Sequence, residues 1–196
     1  YRYRDCYDIP QFNTCSDNGR IGAFPPLKYD EHLQMRLGDY WKGRDHYMWI
    51  HANVDSHLPY NDKQIVGLFS FGKTGGGNNS GFESLLFING KPVQGVDSNH
   101  EEVLFDQETS QGSIRLDFRL WSGFEGGGPP VENEFKLQIA KIGWLDTRID
   151  DLYYTLLASY EVLKESMEAD SHYSFLKKMI QDALFRINWT DPGSIE

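Results

Sequence analysis

Ser113-Ile114-Arg115-Leu116-Asp117-Phe118-Arg119-Leu120-Trp121 is the stretch that decides the fold. Ile114, Leu116, Phe118 and Leu120 fall on one face of an extended chain, and Arg115, Asp117 and Arg119 on the other. That period of two is the mark of an antiparallel strand with one face in a core and one towards solvent. Glu134 to Leu145 repeats the pattern with Phe135, Leu137 and Ile139. Upstream, His46 to Val54 carries Met48, Ile50, Ala52 and Val54 on one side and Tyr47, Trp49 and His51 on the other, so neither face reads as the solvent side. Gln64 to Phe71 is a continuous apolar run of strand length. Glu83 to Ile88 runs into Asn89-Gly90, a strong hairpin signal because both residues tolerate positive φ, and Lys91 to Val96 returns. Pro92 has no N–H to give, which assigns its side of the return strand to an edge or a non-bonded position.

The flanks read differently. Residues 1–45 are punctuated by proline and glycine and are expected to be irregular, packed on the strands, with a helical turn or two at most between Leu27 and Leu37. After Asp150 the apolar period lengthens: Leu152, Tyr153, Leu156, Leu157, Tyr160, Leu163 and Met167 form one helical stripe. Asp150 and Asp151 suit its N-terminus as caps. A second helix is expected from Ser171, with Phe175, Leu176, Met179, Ile180, Ala183, Leu184 and Ile187, ending at Asp191-Pro192-Gly193. The expected architecture is mainly β: an antiparallel β-sandwich over 46–148, of the jelly-roll or galactose-binding kind, followed by an α-helical pair over 149–196.

Composition narrows the function. The 196 residues carry a net charge of −10, and lysine and arginine are scattered, so the field repels nucleic acid. No apolar run approaches the ~20 residues of a membrane span. No signal-peptide core follows Tyr1-Arg2-Tyr3-Arg4, and the absence of an initial Met reads as a trimmed or excised segment. Cys6 and Cys15 are too few for a disulfide scaffold and match no zinc spacing; two reduced thiols in a cytoplasmic protein is the preferred reading over a bridge.

Motifs for chemistry are mostly absent. Gly72-Lys73-Thr74-Gly75-Gly76-Gly77 lacks the spacing of a phosphate-binding loop and reads as a flexible connection. There is no Gly-x-Ser-x-Gly, and Ser70 sits in an apolar run as a strand residue. His51, Asn53, Asp55 and His57 would share one face of a strand and could ligate zinc, but Pro59 and polar neighbours favour a strand ending near Val54. Asp97-Ser98-Asn99-His100-Glu101-Glu102 is the densest polar cluster; a turn bonded to its own backbone is preferred there over a Ca²⁺ site. Glu125 is the one acid on a glycine-rich loop tip, beside Gly126-Gly127-Gly128. Trp41, Trp49, Trp121 and Trp144 could stack on a sugar, although core positions are commoner for tryptophan.

Phe82-Glu83-Ser84-Leu85-Leu86-Phe87-Ile88-Asn89-Gly90-Lys91-Pro92-Val93-Gln94-Gly95-Val96-Asp97-Ser98-Asn99-His100-Glu101-Glu102-Val103 resembles the N-terminal domain of glycoside hydrolase family 38 α-mannosidases of the cytosolic-type and bacterial branch. Tyr47-Met48-Trp49, Asp150-Asp151-Leu152-Tyr153-Tyr154 and Ala183-Leu184-Phe185-Arg186-Ile187-Asn188 are similar to that family's flanks in the same order, over roughly 40–190. The resemblance implies a non-catalytic accessory domain of a retaining, zinc-dependent exo-α-mannosidase acting on oligomannose glycans. Its partner would be the catalytic domain of the same chain, with a homo-oligomer as a further expectation and no nucleic acid or membrane. The family's His-x-Asp motif followed by Trp is absent here, so no catalytic residue, no zinc ligand and no cofactor of this segment is carried over. Glu125, Asp97 and His100 are the expected contributors to a substrate rim. A carbohydrate-binding module and a structural or oligomerising domain are the alternatives.

Overall fold

A computed structural model describes residues 2–17, 23–54, 62–72, 82–106, 113–124, 130, 132–166 and 171–191. Twelve strands precede two helices: β1 (Tyr3–Asp8), β2 (Gln11–Ser16), β3 (Gln34–Arg36), β4 (Tyr40–Gly43), β5 (Tyr47–Val54), β6 (Gln64–Ser70), β7 (Glu83–Ile88), β8 (Lys91–Asp97), β9 (Glu102–Leu104), β10 (Ile114–Trp121), β11 (Asn133–Lys136), β12 (Ile139–Leu145), α1 (Thr147–Glu165) and α2 (Ser171–Arg186). The protein is a mainly β antiparallel sandwich followed by a helical pair. One sheet has the order β3-β2-β5-β10-β7-β8, the other β1-β12-β6-β9, and β11 and β4 form a small ribbon. The chain divides into two compact units, Asp5–Trp144, and Tyr1–Arg4 with Leu145–Glu196.

The core of the first unit follows from the period-two pattern. Ile114, Leu116, Phe118 and Leu120 of β10 are fully buried. Phe118 meets Phe69 of β6 edge-on at 4.8 Å, joining the faces of the two sheets. Phe12, Phe71 and Phe82 extend the same aromatic cluster. Each of these rings withdraws enough apolar surface to stabilise the fold by about 2 kcal/mol. Gly72 follows β6 at φ +115°, where a Cβ would stand 2.6 Å from the backbone nitrogen of Lys136. Only glycine combines that backbone angle with that approach.

The β7–β8 hairpin forms as its residues dictate. Asn89 and Gly90 take φ of 51° and 80°, the pair of positive angles of a two-residue turn whose twist matches the strands. Asn89 also accepts a hydrogen bond from the Arg115 N–H at 2.9 Å. Strand β8 is the edge of its sheet, as Pro92 requires. The register slips between Leu86 and Phe87, so that Val93 bulges out of the ladder.

Several readings are corrected. The segment 1–45 is expected to be irregular, yet its described residues supply β1 to β4, and β2 pairs along β5 of the large sheet. Between Leu27 and Leu37 no helix forms: a single turn is closed by the Leu33 N–H on the Asp30 carbonyl, and Gln34–Arg36 is a strand paired with β2. Glu134 to Leu145 is two strands, not one. Leu137 bonds back to Asp39 and Gly38, and after this break the buried positions become Ala140 and Ile142, leaving Ile139 half-buried. The cap of α1 is Asp146, whose side chain accepts from the Ile149 N–H, because β12 ends at Leu145 and the helix starts at once.

In the second unit, α1 and α2 meet along narrow seams. Asp150, Leu152, Leu156, Ser159 and Leu163 are the half-buried positions of α1, and Tyr173, Leu176, Ile180 and Ala183 those of α2. Contacting helices separated by so few residues run antiparallel. Arg2 ion-pairs with Asp150, and its guanidinium lies 4.8 Å from the ring centres of both Tyr153 and Tyr154. No described helix is long and apolar enough to cross a membrane.

Candidate functional site

Strand register assembles a polar row on the face of the large sheet opposite the core. Strands β2, β5 and β10 are neighbours; Asn13 stands opposite His51, and His51 opposite Asp117. One step along, Asn53 stands opposite Arg115. The alternation of β10 predicts Asp117 towards solvent, yet Asp117 is fully buried. The segment around Pro26–Glu31 lies over it as a strap.

Three side chains converge on the Asp117 carboxylate. Tyr29 donates its hydroxyl at 2.9 Å, and Arg115 donates Nε at 2.8 Å and Nη2 at 3.1 Å. His51 Nδ1 stands at 3.0 Å. An ionised carboxylate only accepts, so the proton of a neutral His51 sits on Nδ1 and Nε2 is left as an acceptor. The rings of Tyr29 and His51 stack, with centroids 4.8 Å apart and planes at 15°. Arg115 Nη2 also donates to the Pro26 carbonyl at 2.7 Å, a second tie to the strap.

The electrostatics follow from this crowding. Burial pushes the pKa of Asp117 up, but the hydrogen bonds from His51, Arg115 and Tyr29 outweigh it, and the carboxyl titrates below its ordinary value. Burial, then the charge and hydrogen bond of Asp117, push the Tyr29 phenol far above its usual range. The Arg115 guanidinium is raised chiefly by its hydrogen bond to Asp117. A carboxylate so saturated with donors is a poor base and a poor nucleophile. Its work is positional: it orients Tyr29, His51 and Arg115.

No known family model and no curated protein matches this chain.

Between strap and sheet lies a hollow of about 310 Å³, open to solvent and lined by residues that include Asn13, Lys28, Glu31, His51, Asn53 and Arg115. A second hollow of about 270 Å³ in the helical unit has mainly apolar walls, among them Ile149, Leu152, Leu156, Ile187 and Trp189.

The residues singled out in the sequence are spread apart. Asp97 closes its own turn: its carboxylate accepts from the backbone N–H of Asn99 at 2.7 Å and of His100 at 2.9 Å, and meets His100 Nδ1 at 3.0 Å. Burial raises the pKa of Asp97, these bonds outweigh it, and the net displacement is downward. Glu125, Asp55 and His57 lie outside the described residues, as do most of both glycine-rich loops. Among the described residues no group of three or more His, Cys, Asp and Glu could hold a metal ion, and His51 is directed to Asp117. Trp41 and Trp49 are core residues, with the Trp41 indole N–H bonded to the Phe71 carbonyl. Ser70 is buried in β6. Cys6 and Cys15 are not bonded to each other. The period of two puts Asp117 and Arg115 on one face, and the strap that covers that face comes from a distant segment without a periodic signal of its own. The signal available was Tyr29 following Pro25-Pro26, a rigid lead-in to an aromatic.

Proposed function

We propose that this chain is a non-catalytic accessory domain of a zinc-dependent retaining exo-α-mannosidase acting on oligomannose glycans. The observation that carries the reading is the β7–β8 hairpin with its Asp97-centred turn, set in a sandwich that leads into helices. That unit coincides with the residues that resemble the glycoside hydrolase family 38 N-terminal domain, and its Asn-Gly turn and Asp-x-Asn-His corner have evident backbone roles. Polar chemistry among the described residues is consistent with it, since the most buried acid, Asp117, is engaged by three internal donors. In this reading zinc belongs to the catalytic domain that is the partner of this one. His100, whose side chain is 69% exposed beside Asp97, is the group of that turn available to a substrate rim. Unbonded cysteines suit a reducing, cytoplasmic setting.

The test is expression of the complete reading frame beside residues 1–196 alone, assayed with an aryl α-mannoside and zinc. The full-length protein should turn over and carry a His-x-Asp motif beyond Glu196, and the isolated chain should be inactive. Zinc-dependent turnover by the isolated chain, or a full-length protein without mannosidase activity, refutes the proposal.

A further inference from the structure

We infer that the hollow between the strap and the β2-β5-β10 face is a binding site for one neutral, polyhydroxylated molecule of monosaccharide size. Its volume of about 310 Å³ lies at the lower end of small-molecule pockets, roughly 300–1,000 Å³. That is room for a single sugar ring.

The chemistry of the wall selects the class. Among the described residues, the carboxamides of Asn13 and Asn53, the Lys28 ammonium and the Glu31 carboxylate have no hydrogen-bond partner, and neither do Arg115 Nη1 and His51 Nε2. Lys28 and Arg115 offer donors, Glu31 and His51 Nε2 offer acceptors, and the two asparagines offer both. A wall that mixes donors and acceptors in this way matches hydroxyl groups, each of which gives one hydrogen bond and takes others. The charges balance: Lys28 and Glu31 of the wall offset each other, and Arg115 is paired with Asp117 buried beneath it. A chain of net charge −10 adds a field that repels anions. Phosphate and carboxylate ligands are therefore disfavoured against a neutral polyol.

Two of the wall groups, His51 and Arg115, are held in place before any ligand arrives. Asp117 fixes Tyr29, His51 and Arg115 from below with hydrogen bonds of 2.8 to 3.1 Å. Preorganised polar groups spend little ordering entropy on binding. Leu27 lies at the rim, 92% exposed; burying it against the C–H face of a sugar would remove apolar surface from water. This inference stands apart from the accessory-domain reading, since the hollow needs no catalytic partner.

The experiment is a titration of the ¹⁵N-labelled chain with mannose, glucose and galactose, with glycerol and inorganic phosphate as comparisons. The side-chain amides of Asn13 and Asn53 should shift saturably with at least one sugar, with a Kd of about 1–10 mM, as few polar contacts to a small ligand allow. Asn53→Ala and, separately, Glu31→Gln should weaken that sugar about tenfold while Tm stays unchanged, for both lie on the wall and outside the Asp117 network. The inference is overturned if no sugar shifts these amides at about 100 mM, well above that Kd. It is equally overturned if phosphate or glycerol binds as tightly as the sugars, or if both variants bind like the parent. None of these results bears on the mannosidase assay of the complete reading frame, so the two readings fail separately.

Discussion

Replacing Asp117 by alanine tests the organising role of the buried carboxylate most directly. The substitution removes four hydrogen bonds from three donors, two of them from the Arg115 cation. Hydrogen bonds to charged groups contribute about 1.5–3 kcal/mol each, and breaking a buried ion pair from one side costs about 3–5 kcal/mol. The bonds share one acceptor group and are not additive. Arg115 keeps its bond to Pro26 and its side chain is 32% exposed, so part of the loss is recovered through water. We expect a net destabilisation of about 4 kcal/mol, or a fall in Tm of roughly 15 °C for a domain of this size. Asp117→Asn keeps one carbonyl acceptor and should lose about 2 kcal/mol, and Tyr29→Phe, which deletes one donor, about 1 kcal/mol. Urea denaturation followed by tryptophan fluorescence measures all three. An Asp117→Ala protein within about 1 kcal/mol of wild type would refute the reasoning, because it would mean that the strap and the carboxylate are not coupled.

Two further outcomes are expected. Gly72→Ala must adopt φ +115° and bring a methyl 2.6 Å from the Lys136 nitrogen, so it should lose about 3 kcal/mol by denaturant titration, whereas Gly90→Ala, with open space around its φ of +80°, should lose only about 1 kcal/mol; equal losses would show that the contact with Lys136 is soft. Acid should destabilise the protein with a definite sign: Asp117 and Asp97 titrate below their unfolded values, so their contribution is complete above about pH 4, the unfolded carboxyl value, and is lost as the pH falls through the folded ones. Tm followed from pH 5 downward should therefore drop, and drop less steeply in Asp117→Asn.

What could be read from the residues, and what could not, divides along physical lines. Strand β10 was legible because its buried face repeats every second residue, and the β7–β8 hairpin because Asn89 and Gly90 are chosen for backbone angles. Strand β1 was not: Tyr3-Arg4-Asp5-Cys6-Tyr7-Asp8 has no alternation, and its residues are exposed or half-buried, so pairing rather than pattern makes it a strand. The join at Leu137 was hidden because Phe135, Leu137 and Ile139 alternate correctly across a break that only the bonds to Gly38 and Asp39 reveal. For the candidate site the decisive contact, Tyr29 to Asp117, spans 88 positions. An acid between two arginines reads as a solvated face until a distant segment is known to cover it.

Pro92 and the bulged Val93 have a meaning for the molecule in crowded solution. A sheet of six strands ends in two rows of backbone groups, and each row could recruit a strand from another chain. At one end β3 is only three residues long, too short to hold a guest. At the other, β8 lacks one N–H at Pro92 and breaks step at Val93, so an incoming strand finds no continuous ladder to extend. The two residues that make the hairpin irregular thus leave this edge a poor template for another strand.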